Sequence, residues 1–147
     1  MDKSFLQKQQ SNNLIFFGVV LFLLGLIVGL VIPLFANPRM GLSSHIEGVL
    51  NGMFLVILGL IWYKIVLSNR WLKITFWLAI YGTFANWAGL LYAAIVNAGR
   101  DLPFAQGQEG TPIQEGIVSF LLISLSLAMI LISITVLVGL KRGFKQA

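Results

Sequence analysis

The chain has 147 residues, of which 58% are apolar and only 10% are charged. Its mean hydropathy of +0.90 lies outside the range of soluble domains, so the composition predicts an integral membrane protein. The absence of cysteine excludes disulfides, thiolate metal sites, iron–sulfur clusters and cysteine nucleophiles.

Four apolar segments are each long enough to cross a bilayer. A hydrocarbon core of about 30 Å needs about 20 helical residues at about 1.5 Å each. The first segment is too long for the core of a signal peptide and has no small-residue cleavage site, so we expect it to be retained. The sequence therefore predicts an all-α, integral membrane four-helix bundle that forms a single membrane domain over residues 1–147, with spans at about 14–36, 46–67, 74–96 and 117–140.

Basic residues are concentrated on one side of these spans. Eight of the ten lysines and arginines lie before the first span, around the loop between the second and third spans, or after the fourth span. The opposite side has only Arg39 and Arg100, together with four of the five acidic residues. Because lysine and arginine favour cytoplasmic loops, we expect both termini in the cytoplasm and a multi-pass protein of the bacterial cytoplasmic membrane. The formal net charge of +5 then reflects topology and contact with the lipid bilayer, and no nucleic-acid partner is expected.

The connection between the third and fourth spans, residues 97–116, is rich in glycine, glutamine and proline and includes acidic residues. It is longer than ordinary turns and is expected outside the membrane, where it would be a lid or a flexible tether. Small residues one helical turn apart predict close contacts between helices, because lipid gives helices no hydrophobic reason to associate. These pairs are Gly25 and Gly29 on the first span, Gly48 and Gly52 on the second, and Ala85 and Gly89 on the third.

One short segment at the outer start of the second span carries ionisable residues. His45 is the only histidine in the chain. Neutral imidazole is a common ligand of haem iron and zinc, but zinc would lack further ligands here, whereas one histidine suits a five-coordinate haem with an open position. Alternatively, His45 caps the span or bonds a loop carbonyl. Glu47 is expected to be an acid in the first turn of the helix, favoured by the helix dipole.

Two asparagines are predicted in the same half of the membrane. Asn51 lies about 9 Å deeper than His45 along the second span, and Asn86 lies near the middle of the third. They could pair as an interhelical contact, or line an apolar pocket as neutral donors to a bound oxygen. Tyr81 and Trp87 lie near Asn86 and could stack on a flat macrocycle or fill the bundle core.

The segment from His45 to Met53, in which the histidine is followed six residues later by Asn-Gly-Met, resembles the styrene oxide isomerases. The pair Ala85-Asn86 is similar to their third-span motif. The four-span layout matches over nearly the whole chain, while specific identity is confined to these two segments. The resemblance implies a homotrimer that binds one haem b per subunit at the subunit interface. Ferric iron would then act as a Lewis acid that isomerises a small lipophilic epoxide to a carbonyl compound.

Carried over to this sequence, the resemblance implies that His45 is the metal ligand, that Asn51 orients a substrate oxygen, and that Asn86 belongs to the pocket wall. Two positions depart from the family. Leu90 stands where the family has a pocket tyrosine, and Gly82 where it has an aspartate. The resemblance therefore supports haem binding more strongly than epoxide isomerisation.

Two other functions fit the same sequence. In a haem-based gas sensor or electron-transfer subunit, a second iron ligand would be Met40, Met53 or the symmetry-related His45. In a haem-free small tetraspan transporter or scaffold, Glu47 would be the candidate carboxylate for proton coupling.

Overall fold

The computed structural model describes residues 3–106 and 109–145, which form four long helices without a strand. Each helix is long and apolar enough to cross a membrane, which confirms the predicted all-α membrane fold. Short 3-10 turns lie at Ile32–Leu34, Trp62–Lys64 and Pro103–Ala105. The helices are α1 (Lys3–Leu30), α2 (Pro38–Ile61), α3 (Asn69–Val96) and α4 (Pro112–Phe144).

All four helices begin before the predicted apolar spans, and three of them begin at a capping residue. The side chains of Asn37, Ser68 and Thr111 accept hydrogen bonds from backbone N–H groups in the first turns of α2, α3 and α4. Hydropathy detects only the apolar part of a helix, so it misses these polar first turns. In α2 the earlier start places His45 and Glu47 in the helix interior, and the prediction that Glu47 is a first-turn acid is wrong.

The helices pack in chain order, with α1 against α2, α2 against α3, and α3 against α4. Among the long helices, α4 packs mainly on α3 and is the most exposed of the four. Buried apolar clusters lie at both ends of the molecule. One includes Leu14, Leu72 and fully buried Trp62, and the other includes Met40 and Ala93.

Glycines allow the backbones of α1 and α2 to touch. A Cβ atom built on Gly25 would lie 2.8 Å from the carbonyl carbon of Gly48. One built on Gly52 would lie 2.6 Å from the backbone nitrogen of Phe22. The close contacts predicted for the glycines of the first two spans are confirmed, since only residues without a side chain permit this approach. By contrast, a Cβ on Gly89 would meet only the Leu121 side chain, at an ordinary 3.5 Å.

We expect Gly48→Ala to lower the free energy of unfolding by about 1–3 kcal/mol, the usual cost of overpacking. Its Cβ would lie 2.6 Å from the Cα of Gly25 and 2.8 Å from the Cδ1 of Trp87. Thermal unfolding in detergent measures the change. The matched control is Gly116→Ala on α4, where nothing lies within 4 Å and alanine should stabilise the helix by about 0.5–1 kcal/mol. Equal stability of the two variants would contradict the assigned contact.

Glu115, in the first turn of α4, holds the described part of the connection between α3 and α4. Its carboxylate is buried and accepts backbone hydrogen bonds from Gly110 at 2.7 Å, Gly99 at 3.0 Å and Arg100 at 3.1 Å. These three bonds join both ends of the connection to one helix. They favour a fixed connection over a flexible tether.

Glu115→Ala is expected to destabilise this connection by about 1–3 kcal/mol, because it leaves buried N–H groups without an acceptor. Limited proteolysis within residues 97–111 and thermal unfolding both report the loss. Glu109→Ala is the control, since Glu109 is exposed and makes a single 3.4 Å ion pair with Arg100, a type worth about 0–1 kcal/mol. Comparable proteolysis of the two variants would show that Glu115 does not hold the connection.

Candidate active site

Three polar side chains meet between α2 and α3. The Oε2 atom of Glu47 accepts a hydrogen bond from Nδ2 of Asn86 at 2.8 Å and another from Nδ2 of Asn51 at 3.1 Å. Asn51 is buried, whereas Glu47 and Asn86 are half-buried. The two asparagines predicted to lie near each other therefore do so, but they meet through a carboxylate rather than by pairing directly.

Glu47 is the residue of this group whose contacts were not predicted, since the sequence indicated only a first-turn acid or a proton-coupling carboxylate. Its position four residues before Asn51 places the two side chains on one face of α2, which is a readable signal. The bond to Asn86 depends on how α2 lies along α3, and periodicity does not specify that register.

His45 faces α1. Its Nδ1 atom lies 2.8 Å from the carbonyl oxygen of Gly25, and a Cβ on Gly29 would lie 2.7 Å from the same nitrogen. Gly29 thus makes room for the imidazole. The cap of α2 is Asn37, and the carbonyl that His45 bonds belongs to a helix rather than a loop.

The hydrogen bond of His45 defines its chemistry. A carbonyl oxygen only accepts, so Nδ1 is the donor, and in the neutral ring the lone pair then lies on Nε2. A histidine that donates one ring N–H to a backbone carbonyl has a fixed orientation and a more basic second nitrogen, which is the arrangement a metal-bound histidine uses. This arrangement would suit a ligand to haem iron.

Trp87 has a buried polar atom without a hydrogen-bond partner among the described residues. Its Nε1 atom is buried and makes no hydrogen bond within the described ranges, although its ring lies beside Gly48 of α2. A buried donor left unpaired costs about 1–3 kcal/mol, so the position favours a bound group or water that accepts from it. The predicted cofactor-binding residue Trp87 thus lies next to the α1–α2 contact.

Tyr81 lies on another side of α3. Its hydroxyl forms a 2.6 Å hydrogen bond with Ser124 of α4, and the side chain is 40% exposed. It therefore contacts α4, and its predicted role in cofactor binding stays a prediction. At the two positions that depart from the family, Leu90 is buried in an apolar cluster and Gly82 packs against Met129 of α4.

The imidazole and the amide groups lie on different sides of α2. Six residues separate His45 from Asn51, which corresponds to a rotation of about 120° around a helix. His45 contacts α1, whereas Glu47 bonds Asn86 of α3. A substrate that touched both groups would have to contact two faces of this helix.

Apolar grooves flank the open face of α2. One of about 300 Å³ has an entirely apolar lining that includes Gly52 and Met53. Another of about 550 Å³ lies nearer the start of α2, with Phe104 and Arg39 among its lining residues. These volumes suit small lipophilic ligands.

Comparison with known proteins decides the family. The model of a family described as styrene oxide isomerase matches residues 10–141. The chain belongs to the styrene oxide isomerase family. Two relatives come from Ectopseudomonas oleovorans. Hydroxylaminobenzene mutase HabB is 50% identical over 133 residues, covering 89% of this chain and 81% of the relative. Hydroxylaminobenzene mutase HabA is 49% identical over 127 residues, covering 85% and 94%. No solved structure matches the chain.

Membership confirms the resemblance drawn from the His45–Met53 and Ala85-Asn86 segments. This member of the styrene oxide isomerase family is a multi-pass membrane protein of the isomerase or mutase type. Its relatives named as mutases show that the family includes proteins named for a substrate other than an epoxide.

Proposed function

We propose that the protein is a haem b-dependent membrane mutase whose substrate is an N-aryl hydroxylamine such as hydroxylaminobenzene. The observation that carries the substrate class is the 50% identity to a hydroxylaminobenzene mutase over nearly the whole chain. Leu90 and Gly82, which depart from the pattern of the epoxide isomerases, agree with a different substrate.

The reaction is an isomerisation. The N–O bond of the hydroxylamine breaks, a C–O bond forms at a ring carbon, a ring proton is lost and the nitrogen gains a proton. The product is an aminophenol with the same atoms and the same overall oxidation state, so the reaction needs neither an oxidant nor a reductant. A catalyst need only polarise the departing oxygen and hold the arene in place.

The cofactor proposal rests on His45, whose Nε2 lone pair is left free by the bond from Nδ1 to the Gly25 carbonyl. Haem b bound there would supply ferric iron as a Lewis acid toward the substrate oxygen. The helix carbonyl fixes the ring orientation, while the unpaired N–H of Trp87 offers a donor near the same helix contact.

The assembly proposal follows from the separation of His45 and Asn51 around α2. We propose one haem per subunit at the interface of a homotrimer, so that the imidazole of one copy and the amide groups of the next border a single pocket. The exposed apolar face of α2 is available for this contact, and it is formed by Leu42, Ile46, Leu50, Met53 and Ile57. A small lipophilic substrate would enter such a pocket from the bilayer.

In this pocket Asn51 and Asn86 orient the polar end of the substrate, and the surrounding side chains exclude water. Both amides are held in place by Glu47 before any ligand binds, and such preorganisation lowers the cost of reaching the transition state. An epoxide is the second candidate substrate, favoured by the family match over residues 10–141 and by the His45–Met53 segment.

The test is direct conversion. Protein produced with a haem supply and purified in detergent is incubated with hydroxylaminobenzene or with styrene oxide, and the products are identified by mass spectrometry. We expect an aminophenol from the first and little carbonyl product from the second. Haem-loaded protein that converts neither compound would contradict the proposal, and conversion of styrene oxide alone would reverse the order of the two substrates.

A further inference from the structure

We infer that Glu47 is a positioning residue that makes the site selective for substrates carrying two hydrogen-bond donors on adjacent atoms, an N–H and an O–H. This inference rests on the proposed function, because it explains why the same asparagines would prefer a hydroxylamine over an epoxide. Oε2 of Glu47 accepts hydrogen bonds from side chains on two helices, α2 and α3.

The orientation of both amides follows from their bonds to Glu47. Asn51 and Asn86 each turn Nδ2 toward Oε2 of the carboxylate. In a planar amide the carbonyl oxygen and the nitrogen point in different directions, so each Oδ1 is turned away from Glu47. Within residues 3–106 and 109–145, neither Oδ1 accepts a hydrogen bond. Two acceptor atoms are therefore held in fixed orientations and are free to bind a ligand.

Fixed acceptors favour ligands that donate. Hydroxylaminobenzene carries an N–H and an O–H on adjacent atoms, whereas the oxygen of an epoxide can only accept. A site whose polar atoms require a donor rejects an analogue that lacks it far more strongly than an apolar pocket rejects a change of size. The amide pair thus distinguishes the two substrate classes of this family by hydrogen bonding rather than by volume.

The carboxylate is well placed to fix this orientation. Glu47 lies one helical turn before Asn51 on α2 and faces Asn86 across the contact with α3. Without an acceptor at position 47, each amide could rotate and present its nitrogen in place of its oxygen. A glutamine would still offer one oxygen to both amides, but a leucine of similar size would not.

The experiment compares E47Q and E47L with the unaltered protein. The substrates are hydroxylaminobenzene and its N-methyl derivative, which lacks the N–H donor. The measured quantities are kcat, KM and the haem absorbance spectrum. E109Q is the matched control, since it makes the same carboxylate-to-amide change on an exposed loop residue and is expected to behave as the unaltered protein.

We expect the unaltered protein to prefer hydroxylaminobenzene by at least about 100-fold in kcat/KM. E47Q should keep that preference while its kcat falls by less than about tenfold. E47L should lower the preference to under about tenfold, mainly through KM for hydroxylaminobenzene, with an unchanged haem spectrum. The spectrum and elution as one species report whether E47L is folded. If it is not, the preference measured for E47Q decides alone.

A folded E47L that keeps the preference of the unaltered protein contradicts the inference directly, and three further results overturn it. In the first, E47Q loses the preference as E47L does, which would mean that the residue acts by another route than accepting hydrogen bonds. In the second, the unaltered protein converts both substrates equally well, which leaves the proposed function intact. In the third, the unaltered protein does not convert hydroxylaminobenzene, which overturns the proposed function and this inference together.

Discussion

Purified His45→Ala protein is expected to lack the haem absorbance band and all turnover. His45 is the only histidine in the chain, and its Nε2 is left free by the bond from Nδ1 to the Gly25 carbonyl. Removing a hydrogen-bond partner behind a metal ligand typically weakens binding by about 10- to 100-fold, so removing the ligand itself should cost more than about 100-fold. Absorbance of the oxidised and reduced protein measures the loss.

A rescue experiment separates ligand loss from misfolding. His45→Gly protein should regain the haem band and part of its turnover when imidazole is added, because the free base can occupy the vacated space beside Gly29. Ser133→Ala is the control, since that hydroxyl bonds only the carbonyl of Met129 in its own helix. An unchanged haem band in His45→Ala would eliminate His45 as the ligand.

Asn86→Leu is expected to lower turnover by about 100- to 1000-fold while haem remains bound, the usual effect of losing one preorganised polar group at a reacting centre. The change also removes the 2.8 Å bond to Glu47 that joins α3 to α2, a type of contact worth about 0.6–2 kcal/mol. Steady-state kinetics with hydroxylaminobenzene and thermal unfolding measure the two effects separately.

Asn51→Leu should act in the same direction, and the double variant should be less impaired than the product of the single effects. Both amides bond the same oxygen of Glu47, and residues that share a partner do not contribute additively. The control is Thr83→Val on α3, whose buried hydroxyl bonds the carbonyls of its own helix. If the loss of turnover in the double variant equals the product of the two single losses, the two asparagines act independently.

The helices and most of the polar site could be predicted from sequence, each for a local reason. Apolar runs revealed all four spans, and the spacing of His45 and Asn51 indicated the family. The polar first turn of α2 was also readable, because Asn37 precedes a proline, but hydropathy ignores caps. That omission misplaced the helix start and, with it, the role of Glu47.

Other contacts depend on how the helices lie against one another. The bond between Glu47 and Asn86 and the unpaired N–H of Trp87 both follow from the register of neighbouring helices. Between α1 and α2, the close backbone contacts at glycines set the register over several turns. No periodic pattern encodes it, so the residues of the candidate site could be predicted from one sequence but their hydrogen bonds could not.

The glycine contact between α1 and α2 implies an uneven tolerance to mutation. In a saturation library selected for function, substitutions at Gly18, Gly25, Gly48 and Gly52 should be depleted almost regardless of the amino acid introduced, because a Cβ atom at any of them would lie within 3 Å of the facing helix. The lipid-facing side of α4 should accept most apolar exchanges. Sequence drift would therefore accumulate in the last helix, while the first two diverge slowly and together.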